Sequence, residues 1–210
     1  MALVTLSAAY GAGGDVVGPA LAERLGVPFV DRAIPVQVAE RLDVSVDDAA
    51  AHDEQATDSF LDRLLRGFVG TDIGVPAPLP PESFTSEDFR KATEAVLLRQ
   101  AAAGEGVILG RAGMIVLRED PRVLRVRLDG PRELRQRQAM AIGGIDEDTA
   151  RDALARLDRA QTDYVRRFYG ADIHDCTLYH LVIDSTAIGL DACVELIAPA
   201  AEALDRASGG

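Results

Sequence analysis

The segment Tyr10-Gly11-Ala12-Gly13-Gly14 separates a short apolar run, Ala2 to Ser7, from a helical repeat of Val17, Leu21, Ala22 and Leu25. A glycine turn between a strand and a helix lets backbone N–H groups point inward, and the helix start adds partial positive charge. That combination cradles phosphate, so Gly11, Ala12, Gly13, Gly14, Asp15 and Val16 are the candidate phosphate-binding residues. In its full form such a loop reads G-x-x-x-x-G-K-[ST], where the lysine reaches the β and γ phosphates and the hydroxyl holds magnesium. With Gly13 as the second glycine, Ala8 stands at the first, Gly14 at the lysine and Asp15 at the hydroxyl. The single lysine of the chain, Lys91, lies in a predicted helix far along the sequence. Asp15 suits the start of a helix but repels a triphosphate unless magnesium comes between them. The competing reading is a strand-to-helix turn with no ligand.

Phosphoryl transfer needs positioning and positive charge around the moving group, and arginine forks match phosphate oxygens. Arg111 follows the apolar run Val107 to Leu109 and Gly110, and strand ends of this kind form the crevice of α/β sheets. Arg156 and Arg159 are three apart and share one helical face, with Arg166 further along the same side. These three read equally well as a solvated face paired to Asp152, Asp158 and Asp163. His174 and His180 accompany Asp175 without a serine or cysteine nucleophile motif, which argues against a hydrolase triad. Asp184-Ser185-Thr186 reads as a cap into the closing helix, and Tyr164 and Tyr169 as packing residues that could also stack on a base.

These groups need a frame. Gly26-Val27-Pro28 stops the first helix, and Val27 to Val30 forms a second apolar run ending at Asp31-Arg32, the opening of a βαβ unit. Residues 33 to 66 read as a weakly amphipathic helical stretch. Residues 69 to 83, rich in Gly and Pro, read as a mobile insertion, either a plain surface loop or a cover over a substrate. Helices are expected at Phe89 to Ala103, Glu133 to Met140, Asp146 to Arg167 and Asp191 to Leu204. Short strands are expected at Val107 to Leu109, Val123 to Leu128 and Leu181 to Ile183. The alternation predicts one three-layer α/β domain over residues 1–210, a parallel central sheet with helices on both faces.

Composition agrees with a globular chain. Hydrophobic residues make up 48% and charged residues 27%, while aromatics are scarce at 5%, so the core must be built from Ala, Val, Leu and Ile. A net charge of −12 gives no footprint for nucleic acid but leaves room for a local anion site. Cys176 and Cys193 lack metal-ligand companions and read as reduced thiols in a cytoplasmic protein. No signal peptide is expected, and no apolar run of about 18 residues suggests a membrane span.

Five stretches together resemble the cytidylate kinase-like family, a nucleoside monophosphate kinase branch of the P-loop superfamily. They are YGAGGDVVGPALAERLGVPFVDR, VILGRAG, PRVLRVRLDGPRELRQR, LDRAQTDYVRRFYG and LYHLVIDSTAIGLDACVELI. The resemblance implies a P-loop kinase fold with a helical lid near residues 145–170. It also implies ATP-dependent transfer, with Mg²⁺, to a nucleoside monophosphate, a pyrimidine one being favoured. Asp31 and Arg32 would face the acceptor, Arg111 would reach its phosphate, and Arg156, Arg159 and Arg166 would be lid arginines. Arg111, Arg159 and Asp31 would carry catalysis, and no tightly held cofactor is expected. In this branch glycine commonly replaces the loop lysine, so Gly14 fits. The departures are Ala8 and Asp15 in the loop, Gln161 at a lid-arginine position and His180 where an aspartate is usual. The alternatives are a degenerate kinase fold that binds a nucleotide or small anion without turnover, and a partner-binding domain such as a homodimer.

Overall fold

A computed structural model of the chain describes residues 2–31 and 86–208. The stretch 33–66, the insertion at 69–83 and Arg32 lie outside the described residues. Five strands form one sheet: β1 Leu3–Ala8, β2 Phe29–Asp31, β3 Gly106–Leu109, β4 Val123–Asp129 and β5 Leu181–Asp184. Their order is β2-β3-β1-β4-β5, and every pairing is parallel.

Alternation along each strand assigns side chains to the two faces. Val4, Leu6, Val107, Leu124, Val126 and Leu128 meet helix α1 (Gly14–Leu25) and helix α7 (Leu190–Ser208) in the larger core. Leu3, Ile108 and Val123 face the other way, onto Leu97 and Ala101 of helix α2 (Ser86–Ala103) and onto Leu117. Burying a leucine such as Leu6 or Leu21 contributes about 1.5–3 kcal/mol. The three-layer arrangement expected from the sequence is therefore the one observed.

Helix α3 (Gly113–Val116), helix α4 (Arg132–Gly143), helix α5 (Glu147–Tyr169) and helix α6 (Ser185–Ile188) complete the described elements, with a 3-10 turn at Cys176–Leu178. The sequence reading anticipated α4 and α5 but not α3, α6 or the 3-10 turn. One turn of helix is too short to display periodicity. Asp146 caps α5 by accepting from the Thr149 amide at 2.8 Å, and Asp184 caps α6 through the Thr186 and Ala187 amides. Among the described residues no helix is long and apolar enough to cross a membrane.

The topology fixes where a site can form. The chain leaves β1 toward the β2 side and leaves β4 toward the β5 side. A crevice therefore opens at the carboxyl ends of these neighbours, beyond Ala8 and Asp129.

Candidate functional site

A hollow of about 390 Å³ lies at this end of the sheet. The glycine turn supplies its first wall through Gly11, Gly13, Gly14 and Asp15. Ala12 instead is buried in the core, its carbonyl accepting from Ser185 Oγ at 2.8 Å, and Val16 stands outside the lining, partly exposed. The amides of Val16 and Val17 both bond to the Gly13 carbonyl and start α1. Among the described residues the amides of Gly13, Gly14 and Asp15 have no backbone acceptor, as the first turn of a helix requires. N–H groups left without acceptors at a helix start attract negative charge.

Arg111 supplies the second wall. It is 2% exposed and has φ 58°, between Gly110 at 76° and Ala112 at 53°. Three successive left-handed residues, two of them not glycine, are costly, at about 1–2 kcal/mol for each residue bearing a Cβ. Strain of this kind is held in place by surrounding structure and concentrates at functional sites. The turn carries Arg111 onto the hollow directly from the end of β3.

The third wall is apolar and comes from α5. Leu157, Tyr164 and Val165 line the hollow, with Gln161 among them. Tyr164 packs its ring 5.0 Å from Phe168 and 6.1 Å from Tyr169 and is also part of the lining. Tyr179 donates to the Ile173 carbonyl at 2.9 Å, and burial raises its phenol pKa. Burial also raises that of Tyr169.

Arg156, Arg159 and Arg166 do not line this hollow. At 100° per residue they sit on the opposite side of α5 from Leu157, Gln161 and Val165. Arg159 and Arg166 are mostly exposed and pair with Asp163 at 3.5 and 3.8 Å. In this arrangement the three lie on the outer face of α5, Arg159 and Arg166 beside Asp163. Exposed pairs of this type contribute little. Arg159→Ala should therefore shift the melting midpoint by no more than a degree or two, and stability by less than about 0.5 kcal/mol. Thermal denaturation of the variant checks this.

Two other arginines, not singled out from sequence, are buried beside the loop. Arg127 of β4 is tied to Asp129 at 2.8–2.9 Å and lies 5.9 Å from the Tyr179 ring centre. Arg135 of α4 donates to the Tyr10 carbonyl at 2.7 Å and to Asp158 at 2.9 and 3.2 Å. Asp129, at the carboxyl end of the strand beside β1, was the available signal for this cluster. Asp31 closes β2 in register with Leu109, which lines the hollow. His180 is a structural edge group: its Nδ1 accepts from the Arg125 amide at 3.2 Å, and burial lowers its pKa. Among the described residues no group of three or more His, Cys, Asp or Glu is placed to hold a metal ion.

A sequence profile described as the cytidylate kinase-like family matches residues 3–187. The chain belongs to the cytidylate kinase-like family. A cytidylate kinase of Methanoculleus marisnigri is 31% identical over 113 residues, 51% of this chain and 61% of that protein. The match thus spans less than two thirds of that relative's length. In fold the chain is similar to an uncharacterized protein from Eubacterium ventriosum, with TM-score 0.66 and 17% identity over 96% of this chain and 98% of that one. A shikimate kinase from Bacteroides thetaiotaomicron gives TM-score 0.48 at 16% identity, covering 96% and 98%.

For this member of the cytidylate kinase-like family, the missing lysine has a steric counterpart. A Cβ built on Gly14 would collide with the Ala8 methyl and lie 3.1 Å from Leu109 Cδ1. As packed, Ala8 leaves no room for a side chain at position 14. Gly14→Lys alone should lower stability and gain no phosphate affinity. Combined with Ala8→Gly, it should raise affinity for tripolyphosphate by about tenfold, the worth of one charge-assisted contact. Calorimetric titration of both variants checks this, and an equal gain in the single variant contradicts it.

Proposed function

We propose that this chain binds a nucleoside monophosphate in the hollow and phosphorylates it from ATP. The observation that carries the reading is that Gly13, Gly14 and Asp15, whose amides have no backbone acceptor among the described residues, line one hollow together with the buried Arg111 and an apolar wall. Amides and a guanidinium suit phosphate oxygens, and the surface of Leu157, Tyr164 and Val165 suits a flat, weakly polar base. Asp31 and Arg32 would meet the acceptor from the β2 end, and CMP, dCMP and UMP are the acceptors to try first.

ATP with Mg²⁺ is the phosphoryl donor this reading calls for. The loop amides would take the donor phosphates. Mg²⁺ is held by one or two protein carboxylates together with phosphate oxygens and waters. Asp15 lines the hollow and would face the ion, which when bound supplies neutralisation of phosphate charge.

One observation favours a second reading, a kinase fold that binds a nucleotide or small anion without turnover. Arg111 stands at the hollow while the α5 arginines lie on the outer face, so among the described residues less positive charge gathers than a triphosphate calls for. A coupled assay of ADP release separates the two. Turnover of a monophosphate above background supports transfer. No turnover at high enzyme concentration, with the melting midpoint rising as CMP or ATP is added, supports binding alone.

A further inference from the structure

We propose that Asp158 and Arg135 act as a positioning pair that sets the shape of the phosphate loop and ties it to α5. The idea rests on the reading of that loop as a ligand site. Tyr10 is gripped at both of its backbone polar groups. Its N–H donates to Asp158 Oδ1 at 3.0 Å, and its carbonyl accepts from Arg135 Nη1 at 2.7 Å. The two side chains that hold it are themselves paired, Arg135 Nη2 lying 2.9 Å from Asp158 Oδ2. Arg135 Nε is anchored in turn on the Gly130 carbonyl at 2.9 Å.

The neighbouring carbonyls are held in the same way. Gln161, one turn along α5, donates to the Ala8 carbonyl at 3.2 Å. Gln138, one turn along α4, donates to the Gly11 carbonyl at 2.9 Å. The loop is thus held at the carbonyls of Ala8, Tyr10 and Gly11, while among the described residues the amides of Gly13, Gly14 and Asp15 have no backbone acceptor. A carboxylate so near a phosphate loop would ordinarily compete with an anion. Here the Arg135 guanidinium matches its charge and it engages Tyr10, not the open amides. Donors held in advance lose little order when a ligand arrives. The lysine-free loop of this chain gains its rigidity from this pair, which joins it to α5, one wall of the hollow.

Asp158→Asn removes the charge and keeps the size. In the ligand-free full chain, amide hydrogen exchange at Tyr10 and Ala12, whose N–H groups are bonded to Asp158 and to the Ala9 carbonyl, should quicken by about tenfold, while Val4 to Leu6 of β1 stay protected. Affinity for tripolyphosphate, measured well below the melting midpoint, should fall by about fivefold as ordering is deferred to binding. Arg135→Lys keeps the charge but loses the fork, and should give the same loop exchange. The double variant should add little to either single one. Unchanged loop exchange, or exchange that quickens equally along β1, overturns the proposal. So does tighter tripolyphosphate binding by Asp158→Asn, which would mark the carboxylate as a competitor. If the unaltered chain binds neither CMP nor tripolyphosphate, the ligand reading fails. The exchange pattern then decides the clamp alone, local quickening supporting it and uniform quickening overturning it.

Discussion

Replacing Arg111 by glycine is expected to leave the fold intact and to weaken CMP binding by roughly ten- to hundredfold, the 1.5–3 kcal/mol carried by hydrogen bonds to a charged group. Glycine is the informative replacement because Arg111 has φ 58°. An alanine there would keep the backbone strain and confuse loss of charge with loss of structure. Glycine adopts this conformation freely, which offsets part of what the lost side chain contributed to packing. The melting midpoint should therefore move by only a few degrees while affinity collapses. Calorimetric titration with CMP, paired with thermal denaturation, measures both. Unchanged affinity in a folded Arg111→Gly protein would remove Arg111 from the site.

Gly11→Ala should act the other way, on stability first. Gly11 has φ 76°, and a Cβ there would run into the Arg135 carbonyl oxygen, a backbone atom of α4. That segment cannot easily retreat, because the Arg135 amide is bonded to Pro131 and its side chain to Gly130, Tyr10 and Asp158. Left-handed strain and the collision together should cost about 2–4 kcal/mol. For a chain of this size that is a fall in melting midpoint of roughly 5–15 °C. Gly13→Ala provides the control. Its φ is 75°, nearly the same, but its added Cβ would meet only the end of the Leu190 side chain, which can turn aside. It should cost distinctly less. Equal losses in the two variants would mean that the α4 backbone yields and that the loop is not braced against it.

The contrast between these glycines shows what a sequence reading reaches. The cluster at Gly11 to Gly14 was legible, since a glycine turn after an apolar run has few other uses. So were β1, α1, β3 to β5 and the long helix at 147–169, because their apolar periods are regular. The left-handed turn at Arg111 and Ala112 was not, because a positive φ at a residue bearing a Cβ leaves no mark in composition. Helix α5 was found but its orientation was not. Charged residues occupy both of its sides, so nothing local told Arg159, paired outward with Asp163, from Asp158, turned inward to Arg135. Asp158 and Arg135 lie 23 residues apart on different helices, and only the packing of α4 on α5 brings them together.

The central claim is that one hollow joins the amides at the start of α1 to Arg111 around a phosphorylated ligand. The most direct measurement is a backbone amide NMR titration of the full chain with CMP, followed by ATP and Mg²⁺. The account predicts saturating shifts concentrated at Gly13, Gly14, Asp15 and Arg111, with smaller ones along the Leu157, Gln161 and Val165 face of α5. Shifts confined to the outer arginine face of α5, or none at the loop at millimolar ligand, would contradict it.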